Sequence, residues 1–330
     1  LVPRHGRSAA ARAEGQRTMS HSCKIILDSI SPNGVRLTTF EMTFPRIVLA
    51  EFNTHRVFAR NSASSRAIPV QKMLKMAEED PYIPTYWGKN QKGMQSEEEV
   101  DAHTAEEAQH QWLRGRDAAV ERARNLLDLG IHKQFTNRLL EPYLWHTVIV
   151  TATEWDNFFH LRNNPKAHPD IQIPARSAQE LYKNSTPKLV RHGGWHLPYV
   201  QDEDWDLMRE HLGFSTDATS ISHPEVGESM VMISAARCAR VSYLTHDGKR
   251  DVAEDLALYD KLLEPGHMSP FEHPARPATE QDNGFIDLKK FDGARTPPED
   301  MWFGNFRGWV QHRKEIPGEK DILGYRRANA

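Results

Sequence analysis

Residues 51–69 read EFNTHRVFARNSASSRAIP, and they crowd His55, Arg56, Arg60, Asn61, Ser62, Ser64, Ser65 and Arg66 into one short stretch. The preceding run, residues 43–50 (TFPRIVLA), is largely apolar and reads as a buried strand or a helix entry. Guanidinium, amide and hydroxyl groups set directly behind a buried element are what an anionic, planar ligand needs. Arginine offers a fixed fork to phosphate, and serine and asparagine donate to phosphate and carbonyl oxygens. The same residues also describe a Ser/Asn-rich solvated loop with scattered arginines, so composition leaves both readings open.

Working outward, residues 24–27 and 35–40 flank an Asn33-Gly34 turn and predict a β-hairpin. Pro69 opens a short helix to about Glu79. Residues 81–93 form a Pro/Gly/Tyr loop. Ser96, followed by Glu97, Glu98 and Glu99, predicts the cap of a long helix that runs to Leu129 and stops at Gly130. A shorter helix is expected from His132 to Leu140, ended by Pro142. Residues 146–153 are β-branched and read as a strand, after which Thr153 is expected to cap a helix over 154–162. Residues 163–175 read as a Pro/Asn loop and 176–184 as helix. An irregular insertion over 185–227 is expected to hold one helix near 204–212. Helices near 228–240 and 250–264 follow, then a loop over 274–300, a last apolar element over 301–313 and a polar tail after Pro317. Long helices with dispersed strands predict an α+β fold rather than alternating βαβ units.

The chain has 330 residues, 38% hydrophobic and 26% charged. Residues 1–18 look like a protease-site scar and vector linker, and residues 19–330 are expected to form a single catalytic domain. Without the four arginines and one glutamate of residues 1–18, 38 basic and 44 acidic residues remain, a net charge of −6. That balance argues against a broad nucleic-acid or membrane-surface partner. No apolar run approaches the ~20 residues of a membrane span. Only Cys23 and Cys238 are present, which points to a reducing, cytoplasmic setting. Cys238 is expected to be a buried small residue rather than a nucleophile. The histidines lack metal-ligand spacing, and neither a dinucleotide fingerprint nor a P-loop occurs. No metal is expected.

Four segments then come together: H-R-x4-N-x2-S-x-R at 55–66, R-x3-P at 138–142, N-F-F-H-L-R at 157–162, and R-C-A-R-V-S-Y with G-H-M-S-P-F-E-H over 237–273. Together they resemble the flavin-dependent thymidylate synthases, and H-x-S-P-F-E-H is the strongest piece. The resemblance implies that family's fold, with a mixed sheet and long helices. It also implies FAD as cofactor, NADPH and methylenetetrahydrofolate as co-substrates, and methylation at C5 of a uridylate without a cysteine nucleophile. A homotetramer with shared active sites is implied as well. The order is unusual, because the A-R-V-S and S-P-F-E-H segments follow the 55–66 motif instead of preceding it. A circularly permuted or rearranged core is therefore expected.

The resemblance carries over residue by residue. His55 and Arg56 match the flavin-contacting pair, Asn61 and Asn157 match flavin partners, and His267 and Ser269 match the segment that touches flavin, supported by Glu272 and His273. Ser62, Ser64, Ser65 and Arg66 match the nucleotide-binding loop, with Glu51 and Thr54 at its start. Arg138 matches an arginine that reaches the nucleotide from a neighbouring subunit. Arg162 matches the catalytic arginine set against the uracil N3/O2 edge, where it would stabilise negative charge on an ionised pyrimidine. Gln311, His312 and Arg313 resemble the same loop entry and stand as second candidates.

Three departures bear on substrate choice. Thr54 replaces the first arginine of R-H-R, Ser62 replaces a glutamate, and Gln172 stands in for another. A UMP methylase, of the kind found in nucleoside-antibiotic pathways, is thus an alternative to a dUMP enzyme. Two further readings compete with it: a nucleic-acid-binding module using the 55–66 arginines and the 307–314 strip, and a non-catalytic homologue that kept the fold.

Overall fold

The computed structural model describes residues 19–214, 224–243, 251–282, 284 and 297–319. The expected linker 1–18 and most of the polar tail lie outside the described residues, as do parts of the 185–227 insertion and of the 274–300 loop.

Alternation of apolar and polar residues builds the hairpin β1 (Ser22–Ile30) and β2 (Arg36–Pro45), turned at Gly34 with φ 80°. A short helix, α1 (Leu49–Asn53), leads to β3 (Ala59–Ser62) and then α2 (Val70–Glu79). The long α3 (Ala102–Asp128) is followed by α4 (Lys133–Thr136), β4 (Trp145–Ala152), α5 (Asp156–Arg162) and α6 (Pro169–Asn184). Next come β5 (Lys188–Leu189), α7 (Asp202–His211), α8 (Pro224–Tyr243) and α9 (Val252–Leu263). Four short strands close the described chain: β6 (Ala275–Pro277), β7 (Trp302–Phe303), β8 (Phe306–Arg307) and β9 (Trp309–Gln311).

The main sheet runs β3-β4-β2-β1-β5, antiparallel except that β5 lies parallel to β1, so it is mixed and the fold is α+β. One face carries Phe40, Met42 and Phe44 of β2 with Val148 and Val150 of β4. It packs on Trp155, on Phe158 and Phe159 of α5 and on Ile171, Ala175 and Ala178 of α6. On the other face Ile149 packs on Cys238 and Val241 of α8. Burial on both sides explains why β2 reads as an almost continuous buried run.

Several expected boundaries move, each for a local reason. Ser96 does not cap α3; its hydroxyl donates to Lys89 O and Glu98 O, and Asp101 caps instead, accepting from Thr104 N at 2.9 Å. Gly130, at φ 73°, does follow that helix. Thr153 Oγ1 accepts from Arg307 N at 3.1 Å, so α5 begins only at Asp156. Residues 169–175 are helical rather than loop. His168 Nδ1 accepts from Asp170 N at 3.3 Å and Pro169 occupies the first turn, so the helix starts early and tolerates Pro174. The expected helix over 132–140 splits into α4 and a 3-10 turn at Asn137–Leu139. The apolar element at 301–313 is three short strands and a 3-10 turn.

Candidate active site

The turn after α1 and the last turn of α5 meet. Arg162 sits where a helix C-terminus favours a cation. Its Nε donates to His55 Nε2 at 3.0 Å, and its Nη2 donates to Glu51 O at 3.1 Å and to Thr54 Oγ1 at 2.9 Å. Thr54 in turn donates to Glu51 O at 2.7 Å. The His55 ring is buried against Phe58 and Phe158, at centroid distances of 5.5 and 5.0 Å. Burial, and then the charges of Arg162 and Arg60, hold His55 down to about 4. His55 is therefore neutral, with Nε2 as a lone-pair acceptor and the proton on Nδ1.

A second cluster lies at β3. Asn61 Nδ2 donates to Cys238 O at 2.9 Å, and Asn61 Oδ1 accepts from Ser269 Oγ at 3.1 Å. This joins the 51–66 loop to the A-R-V-S helix and to the H-x-S-P-F-E-H segment. Beside it opens a cleft of about 530 Å³ lined by Asn61, Ser62, Ser64, Arg66, His267 and Ser269, with an apolar floor of Ala239, Leu262 and Pro270. Arg56 and Arg66 are exposed and carry no carboxylate partner among the described residues.

A larger cleft of about 1030 Å³ adjoins the first cluster and is lined by Glu51 and Arg162, the aromatics Tyr82, Tyr86, Trp87 and Trp112, and also Lys166 and Gln172. The aromatic tips are tied back: Tyr82 OH donates to Asp170 Oδ2 at 2.5 Å, Trp112 Nε1 to Tyr82 O at 2.9 Å, and Tyr86 OH to Ser96 O at 3.2 Å. Tyr82 is fully buried, and the part-exposed rings of Tyr86, Trp87 and Trp112 remain as apolar walls. Sequence reading missed these aromatics and Lys166, although the Tyr82–Trp87 cluster in a loop was a visible signal.

Other candidates fall elsewhere. Ser65 points inward, buried and without a side-chain partner, while its carbonyl accepts from Asn137 Nδ2 at 2.7 Å. Arg138 lines neither cleft and pairs with Glu141 at 2.8 Å, and Asn157 is exposed on α5. The second candidates are spent on structure. Arg313 pairs with Glu272 at 2.5 Å and Glu319 at 2.7 Å, Gln311 Nε2 donates to Glu272 O at 3.2 Å, and His312 Nε2 bonds Tyr259 OH at 2.8 Å. His273 belongs to a buried chain across the sheet. Its Nδ1 bonds Thr151 Oγ1 (2.8 Å), which bonds Thr39 Oγ1 (2.7 Å), which bonds His196 Nε2 (2.8 Å), whose Nδ1 bonds Ser29 Oγ (2.8 Å). Cys238 is fully buried, and burial pushes its thiol well up, which removes it as a nucleophile. Among the described residues no group of His, Cys, Asp and Glu is arranged to hold a metal. No helix among them is long and apolar enough to cross a membrane.

Residues 31–188 match the family described as Thy1, Thymidylate synthase complementing protein. This segment, just under half of the chain, contains both the 51–66 loop and the Asn157–Arg162 helix and is similar to the flavin-dependent thymidylate synthase family. The match ends before the 237–273 segments. Among solved structures the chain is similar to a UMP/dUMP methylase, PolB from Streptomyces cacaoi, bound with 5-Br UMP. The likeness has a TM-score of 0.43 and 15% identity, and it covers 50% of this chain and 89% of that one. No curated protein matches the sequence.

Proposed function

We propose that the protein is a flavin-dependent methyltransferase acting at C5 of a uridylate, dUMP or UMP, with methylenetetrahydrofolate and NADPH as co-substrates, in the cytoplasm. The observation that carries this reading is the placement of Arg162. Three bonds from the 51–55 turn fix its guanidinium in the wall of an aromatic cleft, where a planar base would lie against it. There it would donate to a uracil carbonyl and stabilise the negative charge that gathers as C5 reacts. Ser62, Ser64 and Arg66 line the other cleft with no carboxylate beside the guanidinium, a donor set that suits a phosphate. Ser65 would support that loop from within.

The residues present fit FAD. Arg56, Asn157, His267 and Ser269 are exposed and would offer polar tips to an anionic, aromatic cofactor. His55 and Asn61 would act indirectly, by holding Arg162 and the 267–273 segment. Bound flavin would supply the redox chemistry that links NADPH to the transferred carbon. Contact of the 237–273 segments with Asn61 supports reading 19–330 as one catalytic domain with a permuted segment order.

Within one chain Arg162 lines one cleft and Arg66 the other. A homotetramer whose neighbours complete each site would reunite them. Leu129, Ile131, Phe135 and Leu139 are exposed around Arg138, and this apolar surface suits such an interface. Tritium release from 5-³H-dUMP and 5-³H-UMP, with FAD, NADPH and methylenetetrahydrofolate present, tests the reading. Release from one or both is expected, and release from neither, by protein that also takes up no flavin, overturns it.

A further inference from the structure

Arg162 carries five N–H groups. Nε is spent on His55, and Nη2 is spent on Glu51 O and Thr54 Oγ1, so Nη1 is left without a partner among the described residues. Glu51 lines the same cleft. Its Oε2 is shut off from water and has no hydrogen-bond partner, and no described Lys, Arg or His nitrogen lies within 4.0 Å of the carboxylate. Glu51 and Arg162 touch through the Glu51 carbonyl and not through the carboxylate, although the two residues are neighbours. A buried carboxylate oxygen left unpaired beside a half-used guanidinium is costly unless a ligand supplies the missing donor.

The ligand's chemistry follows from what is left free. The tips of Tyr82, Tyr86 and Trp112 are bonded back into the protein, so the cleft offers the part-exposed faces of Tyr86, Trp87 and Trp112, one cationic donor and one anionic acceptor. A planar heteroaromatic ring whose edge sets a carbonyl oxygen next to an N–H satisfies both. Uracil has that edge at O2 and N3 or at O4 and N3. Cytosine presents a lone pair at N3, which an anion opposes, and a uracil ionised at N3 meets the same opposition.

We propose that Glu51 determines base specificity: its carboxylate accepts the N3–H of a neutral uracil whose adjacent carbonyl oxygen takes the free Nη1 donors of Arg162. This rests on the uridylate reading above and sharpens it. The negative charge that Arg162 meets is then on a carbonyl oxygen, with N3 still protonated, rather than on an ionised ring nitrogen.

The test removes the proton from the ligand and the acceptor from the protein in turn. Dissociation constants of UMP and of N3-methyl-UMP are measured by titration calorimetry for the full chain with FAD present, for wild type, Glu51→Ala and Glu51→Gln. Wild type is expected to bind N3-methyl-UMP about tenfold or more weakly than UMP. In Glu51→Ala that penalty should shrink to about threefold or less, because nothing remains for the methyl group to displace. Glu51→Gln keeps the shape and an amide acceptor, and it should retain UMP while gaining affinity for CMP, whose N3 its NH2 can serve. An equal N3-methyl penalty in wild type and Glu51→Ala overturns the role of Glu51 and leaves the uridylate reading standing. Failure of wild type to bind UMP or dUMP overturns both, and wild type that prefers CMP does the same. Thermal melts of the variants separate misfolding from lost recognition.

Discussion

Arg162 is the residue on which the proposed chemistry turns, and its partners say what a substitution would do. It makes three bonds to a turn some 107 residues away, and those bonds leave one amino group free to face a ligand. Arg162→Ala is expected to keep the fold and flavin uptake while lowering methyl transfer by ~10²–10³ or more, the usual effect of deleting a charge-stabilising donor. Arg162→Lys should not rescue it, because one ammonium cannot replace a planar fork that is bonded at Nε and Nη2 and still free at Nη1. Steady-state tritium release beside flavin-band absorbance would check this, and near-normal turnover in either variant would refute the role. Thr54 shows how far a sequence reading reaches. It is visible as a departure from R-H-R, but its use is not, because its hydroxyl both closes α1 and accepts from Arg162. Which partner a short polar side chain finds depends on tertiary placement, and no local pattern encodes that.

At the scale of elements, the sheet is fastened to the H-x-S-P-F-E-H segment by a polar chain rather than by apolar packing alone. His273, Thr151, Thr39, His196 and Ser29 are all buried, and each hydroxyl or imidazole bonds the next. Thr39→Val would leave His196 Nε2 and Thr151 Oγ1 without their shared partner. It is expected to cost ~1–3 kcal/mol of stability, as buried groups stranded without partners do. Urea unfolding measures this, and a loss within experimental error would mean that water replaces the hydroxyl. Three strands of this sheet, β1, β2 and β4, were legible in the sequence, since the alternation over 35–44 and the β-branched run over 146–152 encode their faces locally, whereas the short edge strands β3 and β5 carry no such pattern. The helix starts were less so. Ser96 with three glutamates looks like a cap, yet Asp101 does the work, because Gly88 pairs with Glu99 in a bridge and holds residues 96–99 in a loop. Likewise Pro174 reads as a break but falls early enough in α6 to be absorbed. The lining of the smaller cleft was named from the resemblance, in Asn61, Ser62, Ser64, Arg66, His267 and Ser269, whereas the aromatic cleft could not be read, since its walls come from segments more than a hundred residues apart.

For the whole molecule, the apolar surface around Arg138 and the division of the candidate site between two clefts bear on assembly. Phe135→Asp places a charge on a surface that is 63% exposed in the single chain. It should shift the protein toward smaller species by light scattering and reduce activity in parallel. Unchanged size with full activity would place the interface elsewhere.

Acid stability is the other property of the whole. His146, His196 and His273 are buried and held down to about 3 by burial, and His55 to about 4 by burial and the nearby arginines, against an ordinary value of 6.5. The folded-state values lie below the unfolded ones, so the unfolded chain binds more protons once the pH drops below about 6.5. The contribution is whole above that point and is lost as pH falls toward 4 to 3. Its slope is up to ~1.4 kcal/mol per pH unit for each imidazole. Paired carboxylates add their own loss only below about pH 5, so the interval from about 6.5 to about 5 belongs to the histidines. Denaturant unfolding from about pH 8 to about pH 5 should show a plateau and then a steep decline. His196→Gln, which keeps hydrogen-bonding capacity but cannot titrate, should lower the plateau and flatten the decline by one histidine's share. Stability that stays level through that interval, or a decline of the same steepness in His196→Gln, would show that these imidazoles reach protons without unfolding. The polar chain they anchor would then be open to water.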